Sequence, residues 1–167
     1  MRHHKIYLVG QISSNPNSYE WRLNLQEYLD GLDDKKIKTG ISLLDPCKNS
    51  MNLNLIRASK NNEEGFNNNA FAEETLKILT PLDAGFVQES TMCFANMNHF
   101  TPERPIIGSY FELAWYYHNY PNKPVIGIFD GDPKEFYHTR HPFVQAAIHV
   151  WVRYAVNALD LIIKQCF

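Results

Sequence analysis

The strongest candidate for chemistry in this sequence is a single glutamate, Glu112. It lies in the run Gly108-Ser109-Tyr110-Phe111-Glu112-Leu113-Ala114-Trp115, whose apolar residues predict a helix between two strand-like segments. Gly108 and Ser109 are typical helix-start residues, so Glu112 is predicted to lie in the first turn. A carboxylate there is stabilised by the helix dipole and needs no other role. The alternative is catalysis, because ligands bind in open α/β sheets where a strand passes through a loop into a helix.

Strands and helices alternate along the chain and would form the frame that holds Glu112. Apolar segments predict five strands, at residues 5–9, 37–44, 91–95, 124–129 and 150–154. Helical spacing predicts helices at residues 21–32, 71–89 with an interruption at Thr80-Pro81, from 108 onward, 141–149 and 157–165. This order predicts an α/β fold: a five-stranded parallel sheet with helices on both faces, Rossmann-like or flavodoxin-like. No second core is visible, so residues 1–167 are predicted to be one domain.

One polar segment interrupts the alternation. Residues 47–70 are rich in asparagine and carry too few apolar side chains to pack as core. They predict a long loop, and loops of this length are often active-site lids.

Composition excludes several classes of function. Hydrophobic residues make up 44% of the 167 residues and charged residues 20%, and the formal net charge is -2, so we expect neither a nucleic acid polymer nor an anionic membrane as partner. No apolar run is long enough to cross a membrane, and residues 1–5 lead into a strand rather than a signal peptide, which predicts a cytoplasmic protein.

The cysteines and histidines do not predict a metal centre. Cys47, Cys93 and Cys166 form no CxxC pair, so reduced thiols are expected, and the seven histidines show no metal-ligand spacing. A GxGxxG phosphate fingerprint is also missing. We therefore expect no metal and no cofactor.

Five segments, taken in order, resemble a known family. They are Ile6-Tyr7-Leu8-Val9-Gly10, Asp45-Pro46, Asp83, Gly108-Ser109-Tyr110-Phe111-Glu112-Leu113 and Lys123-Pro124-Val125-Ile126. Together they resemble the nucleoside 2-deoxyribosyltransferases and the related 2'-deoxynucleoside 5'-monophosphate N-glycosidases, from residue 5 to residue 163. Each segment is common by itself, and the ordered set carries the resemblance.

The resemblance implies roles for three side chains. Glu112 matches the nucleophilic glutamate of the family, Tyr7 matches the first-strand tyrosine that holds it, and Asp83 matches an aspartate that binds sugar or base. The residues alone leave other readings open: Asp83 is also a normal turn aspartate, and Tyr7 is also a normal core tyrosine. Breaking the bond to a nucleobase builds positive charge on the sugar, which a carboxylate such as Glu112 can capture, while Asp83 manages the leaving base.

Further side chains are candidates for substrate contact. The resemblance matches Gly10, Gln11 and Ile12 to the turn beneath the nucleotide, and Ser13 follows in the same turn. The remaining candidates are Asn96 and Asn98 after the third strand, Gly108 and Ser109 of the glutamate run, and Phe143. Loop-forming hydrogen bonds equally explain the two asparagines, and core packing explains Phe143. On the first helix, Trp21 is expected in the core and Arg22 in solvent.

Two function classes remain. The first is an enzyme that cleaves or exchanges the N-glycosidic bond of a 2'-deoxynucleoside or its monophosphate, with a free nucleobase as second reactant or product. The second is a nucleotide-binding module without turnover, because Ile106, Asn96 and Asn98 stand where many family members carry acidic residues. An aromatic fraction of 13% and the resemblance both predict a homo-oligomer, most simply a dimer.

Overall fold

Strands and helices alternate along the chain, in the order that the sequence predicts. The computed structural model describes residues 3–12, 15, 17–48, 83–100 and 106–167. The strands are β1 (His4–Gly10), β2 (Ile41–Leu44), β3 (Met92–Asn96), β4 (Val125–Ile128) and β5 (Val150–Val152). The helices are α1 (Asn17–Gly31), α2 (Lys35–Gly40), α3 (residues 83–89), α4 (Ile107–Asn119), α5 (Pro142–Ala147) and α6 (Ala155–Cys166), with a 3-10 turn at Pro46–Lys48.

The five strands form one parallel sheet in the order β2-β1-β3-β4-β5. The predicted five-stranded parallel α/β fold is therefore confirmed. The strand order reverses direction between β1 and β3, where Gly10 pairs with Asn96 at the carboxyl ends. A crevice at such a switch point is where open α/β sheets bind ligands.

Both faces of the sheet are buried, because alternate side chains of β1 enter two separate cores. Tyr7 and Val9 lie in the core beneath α4, which we call the α4 side. Ile6 and Leu8 lie in the core beneath α1 and α6, which we call the α1 side. Burial on both faces explains why the strands are continuous apolar runs in the sequence. Burying each large apolar side chain stabilises the folded state by roughly 1.5–3 kcal/mol.

The predicted strand at residues 37–44 was wrong in its first half. Asp34 accepts a hydrogen bond from the Lys36 backbone N–H at 2.7 Å and caps α2, so only Ile41–Leu44 is strand. The alternation of Ile37, Thr39 and Ile41 is short enough to fit a helix as well as a strand.

The helix predicted at residues 141–149 is shorter in the structure. The His141 side chain accepts from the Phe143 backbone N–H and caps α5, which ends at Ala147. His149 N–H donates to the Val125 carbonyl at 2.9 Å, so the chain has already begun to pair with β4. Sheet pairing therefore ends the helix before its apolar pattern does.

Two further predictions fall mainly on residues outside the described ranges. The first is the polar loop at residues 47–70, of which only 47 and 48 are described. The second is the helix at residues 71–89, of which 83–89 are described and are helical. None of the described helices is long and apolar enough to span a membrane. The single-domain assignment stays a prediction.

Candidate functional site

A strand tyrosine and a helix glutamate meet on the α4 side of the sheet. The Tyr7 hydroxyl donates a hydrogen bond to Glu112 Oε1 at 2.5 Å. Tyr7 is fully buried in β1, between β2 and β3, and it lies in the same core cluster as Leu113 of α4, the residue after Glu112. The structure therefore brings together two of the three residues that the resemblance implies are catalytic.

The helix dipole does not explain Glu112. The expectation that this residue lies in the first turn was wrong, because the helix begins at Ile107 with Ile106 as its N-cap and has no acidic residue in the first turn. Gly108 and Ser109 occupy that first turn, where Gly108 is exposed and Ser109 is buried. Glu112 lies one turn deeper, so its stabilisation comes from specific contacts such as Tyr7.

Burial and a neighbouring acid make Glu112 hard to ionise. Loss of hydration is the main cause and raises the pKa of Glu112 to about 7. The Tyr7 hydrogen bond acts in the opposite direction, the nearby Asp83 raises the pKa further, and the Arg22 charge lowers it. Glu112 therefore exists in both protonation states near neutral pH, as expected for a group that does acid–base or nucleophilic chemistry.

Asp83 supplies the second carboxyl group. It is half-buried at the start of the described part of α3, and burial raises its pKa to about 6. Within the described part of the chain its Oδ1 is buried without a hydrogen-bond partner. A buried carboxyl oxygen with no partner is costly, and it is an acceptor ready for a ligand N–H or O–H. Its charge acts on both Glu112 and Tyr7, so the three side chains form one cluster.

Arg22 is buried, although solvent exposure was expected. Only 1% of its surface is exposed, and its guanidinium donates to the carbonyls of Ser18 at 2.7 Å, Gly10 at 3.0 Å and Leu8 at 3.4 Å. Its Nε lies 3.5 Å from Asp45 Oδ1, an ion-pair contact without hydrogen-bond geometry. Asp45 is buried as well, so the pair is removed from water.

The shortness of β2 explains this arrangement. β2 ends at Leu44, opposite Tyr7, so β1 continues beyond its neighbour. The carbonyls of Leu8 and Gly10 lie past that point, where β2 no longer pairs with β1. The Arg22 guanidinium donates hydrogen bonds to both of them instead. Its guanidinium also lies 4.5 Å from the ring centre of Trp21, which is in the core as expected. Arg22 thus holds the carboxyl end of β1, next to the candidate site.

The loop after β1 is held by its own contacts. A side chain at Gly10 would meet Trp21 at 3.1 Å and Asn96 at 3.3 Å, so glycine permits this close approach. The Gln11 side chain is buried and its Oε1 accepts from the Phe100 backbone N–H at 2.9 Å. Ile12 is exposed, and Ser13 lies outside the described residues. Among the described candidates in this loop, Ile12 therefore presents its side chain most openly.

The two candidate asparagines organise loops. Asn96 Oδ1 accepts from the backbone N–H and side-chain amide of Asn98, at 3.0 Å and 2.8 Å. Asn98 Oδ1 in turn accepts from the Asp130 backbone N–H at 2.9 Å. These bonds join the ends of β3 and β4, which is the loop-forming alternative that the sequence left open.

Phe143 packs against α4. It is half-buried beside the core of the α4 side, and its ring meets Tyr117 edge to face at 5.9 Å. This is the core-packing alternative for Phe143.

A periodicity in α1 could have predicted the burial of Arg22. The buried residues of α1 include Ser18, Trp21, Arg22, Leu25 and Leu29, which recur at helical spacing and place Arg22 within the apolar stripe. An arginine in such a stripe requires a buried acid, and Asp45 directly after β2 is the available partner.

The described residues hold no group of three or more histidine, cysteine, aspartate or glutamate side chains that could bind a metal ion.

Comparisons with known proteins support the fold alone. No family model matches the sequence, and no curated protein matches it. A solved structure described as a conserved protein from Enterococcus faecalis V583 is similar, with 15% sequence identity and a TM-score of 0.59. The match covers 98% of this chain and 99% of that one, so this chain shares its overall fold with the Enterococcus faecalis protein.

Proposed function

We propose that this protein is a cytoplasmic enzyme that cleaves or exchanges the N-glycosidic bond of a 2'-deoxynucleoside or its 5'-monophosphate. The observation that carries the proposal is the carboxyl pair: Glu112 accepts from Tyr7 at 2.5 Å, and the charge of Asp83, whose buried Oδ1 has no hydrogen-bond partner among the described residues, acts on Glu112. Both carboxyl pKa values are raised toward neutrality, which suits one group to act as nucleophile and the other as acid.

The first step forms a covalent intermediate. The Glu112 carboxylate attacks the anomeric carbon as the bond from that carbon to the base nitrogen breaks, and the bonding electrons leave with the base. Protonated Asp83 gives its proton to the departing base. The product is a deoxyribosyl ester of Glu112 and a free nucleobase.

The second step releases Glu112. Water or a second nucleobase attacks the same carbon while ionised Asp83 accepts the proton of the attacking group. The ester bond breaks, and the Glu112 carboxylate is restored with Tyr7 as its hydrogen-bond donor. Water gives hydrolysis, and a base gives transfer.

The two carboxyl groups titrate as a pair. The Asp83 charge raises the pKa of Glu112, so the two sites are coupled and hold one proton between them at a pH between about 6 and about 7. The pKa of Glu112, about 7, already includes the Tyr7 bond and the Arg22 charge and is higher than the pKa of Asp83, about 6, so the single proton of the pair lies mainly on Glu112 before substrate binds. Attack by Glu112 requires the proton to move to Asp83, and the Tyr7 bond and the Arg22 charge lower the cost of that arrangement because both favour ionised Glu112.

A second candidate function is nucleotide binding without turnover. The resemblance implies acidic residues at the positions of Asn96 and Asn98, and these amides are hydrogen-bonded to each other and, through Asn98, to Asp130. Such a module would bind the same ligands and leave them intact.

One experiment separates these functions. The purified protein is incubated with each deoxynucleoside and each deoxynucleoside monophosphate, with and without a second free base, and the products are separated by chromatography. Base release indicates a hydrolase and base exchange a transferase. Binding of a nucleotide without any product indicates the module and contradicts the enzyme.

Tyr7→Phe is expected to shift the pH dependence of turnover. The Tyr7 hydrogen bond lowers the pKa of Glu112, so its loss raises that pKa further above 7. Because the nucleophile must be ionised, the rise of kcat with increasing pH moves to higher pH, and kcat at neutral pH falls more than KM changes. Kinetics over a pH series with saturating substrate measure this, and an unchanged kcat profile contradicts the role of Tyr7.

The proposed enzyme is a homo-oligomer whose sites are completed by a neighbouring subunit. The aromatic side chains of α4 differ in exposure: Tyr116 is fully buried, whereas Phe111 and Tyr117 are 59% and 42% exposed. Exposed rings near Glu112 favour a partner surface on α4. We expect a mass of at least two chains by light scattering with size-exclusion chromatography, and a mass near 19.4 kDa at high concentration contradicts this.

A further inference from the structure

The helices that carry the two carboxyl groups pack into the same core, because Val87 of α3 lies in one buried cluster with Leu113 and Tyr116 of α4. On α4, Glu112 and Tyr116 are four residues apart and share one face. On α3, Asp83 and Val87 have the same spacing, and Ser90 follows at the end of the helix. Tyr116 lies about one turn after Glu112 on α4, and Ser90, which it contacts, lies about two turns after Asp83.

Tyr116 and Ser90 are joined by a buried hydrogen bond. Their hydroxyl oxygens lie 3.0 Å apart, and Ser90 Oγ also donates to the Val87 carbonyl at 2.8 Å. A serine hydroxyl has one hydrogen, so Tyr116 must be the donor in its bond to Ser90. Burial raises the pKa of Tyr116, which keeps that proton on the phenol.

Lys123 fixes the same end of α3. Its ammonium donates to the carbonyls of Gln88 at 2.9 Å and Val87 at 3.2 Å, in the last turn, where a cation also complements the helix dipole. It lies 3.9 Å from the ring centre of Tyr120, one turn after Tyr116. The carboxyl end of α3 is thus attached to α4 and to the turn that follows it, while its other end presents Asp83.

We propose that Tyr116 and Ser90 are positioning residues whose hydrogen bond sets the separation between Asp83 and Glu112. The inference rests on the proposed function for its catalytic meaning, but the separation is a property of the protein itself. The other groups that act on Glu112 are Tyr7 from β1 and Arg22 from α1, and Cys93 of β3 is buried nearby. The Tyr116–Ser90 bond joins α4 to the residue that follows α3, so breaking it is expected to change the carboxyl pair through α3 while Cys93, which acts on both Tyr116 and Glu112, stays in place.

The test variants are Tyr116→Phe and Ser90→Ala, with Tyr120→Phe as the matched control. Carbon-13 NMR of labelled aspartate and glutamate follows the titration of Asp83 and Glu112, with Asp83→Asn and Glu112→Gln used for assignment. Both test variants are expected to shift the two titration midpoints, and Tyr120→Phe is expected to leave them in place. Where the wild type turns over a deoxynucleoside, the test variants lower kcat by about tenfold with KM within about twofold.

The double variant supplies a further check. Both substitutions break one bond, so their combination is expected to lower kcat no more than the stronger single change. If Tyr116→Phe does not fold, Ser90→Ala decides, because it leaves the tyrosine ring in place. Unchanged titration of the carboxyl pair in a folded variant overturns the positioning role, even if activity falls. Absence of turnover in the wild type overturns the proposed function and leaves the titration result to judge the positioning role.

Discussion

Glu112→Gln is expected to lower kcat for a deoxynucleoside by about 10³-fold or more, because the amide cannot form the ester with the sugar. The substitution keeps the shape of the side chain, and the amide oxygen can still accept the Tyr7 hydrogen bond. Single-turnover and steady-state assays on the substrate with the highest wild-type rate measure the loss.

The fold is expected to remain intact in this variant. The pKa of Glu112 is raised from 4.5 to about 7, so the folded state binds this proton more tightly than the unfolded chain does. Ionised Glu112 therefore reduces stability as pH rises through that range, and glutamine removes this cost above neutrality. Glu89→Gln is the control, since that exposed carboxylate only pairs with Lys5 at the surface. Near wild-type turnover in Glu112→Gln contradicts the nucleophile assignment.

Arg22→Met is expected to cost about 3–5 kcal/mol in the free energy of unfolding, as is typical when one partner of a buried ion pair is removed. Methionine fills part of the volume but leaves Asp45 as an unpaired buried acid and removes the Arg22 donor from the carbonyls of Gly10 and Leu8. Urea unfolding at neutral pH measures the loss. For a domain whose total stability is typically about 5–15 kcal/mol, the effect is large.

A double variant separates the ion pair from the carbonyl contacts. Adding Asp45→Asn to Arg22→Met removes the unpaired charge, so part of the lost stability should return. The rest should stay lost, because the β1 carbonyls that Arg22 bonds still lack that donor. A loss below about 1 kcal/mol in the free energy of unfolding of Arg22→Met would mean that water reaches Asp45 and those carbonyls. It would contradict the assignment of Arg22 as a buried partner of Asp45 and β1.

Local sequence patterns were sufficient for the parallel sheet. Each strand is an apolar run and each following helix has its own spacing, so the order of the elements predicts the architecture without knowledge of contacts. The predictions failed where two local patterns fit the same few residues, as at residues 35–40, and where sheet pairing ended a helix, as after Ala147.

The sequence by itself determined that Tyr7 would lie in the first strand and Glu112 in a helix between two later strands, because both follow from apolar periodicity along the chain. Only the tertiary structure decided which groups share the site. The helix register of Glu112, the nearness of Asp83, the burial of Arg22 beyond the end of β2 and the Tyr116–Ser90 bond all join segments distant in sequence. The raised pKa values belong to this second class, because hydration is lost only when packing from several elements excludes water around a carboxyl group.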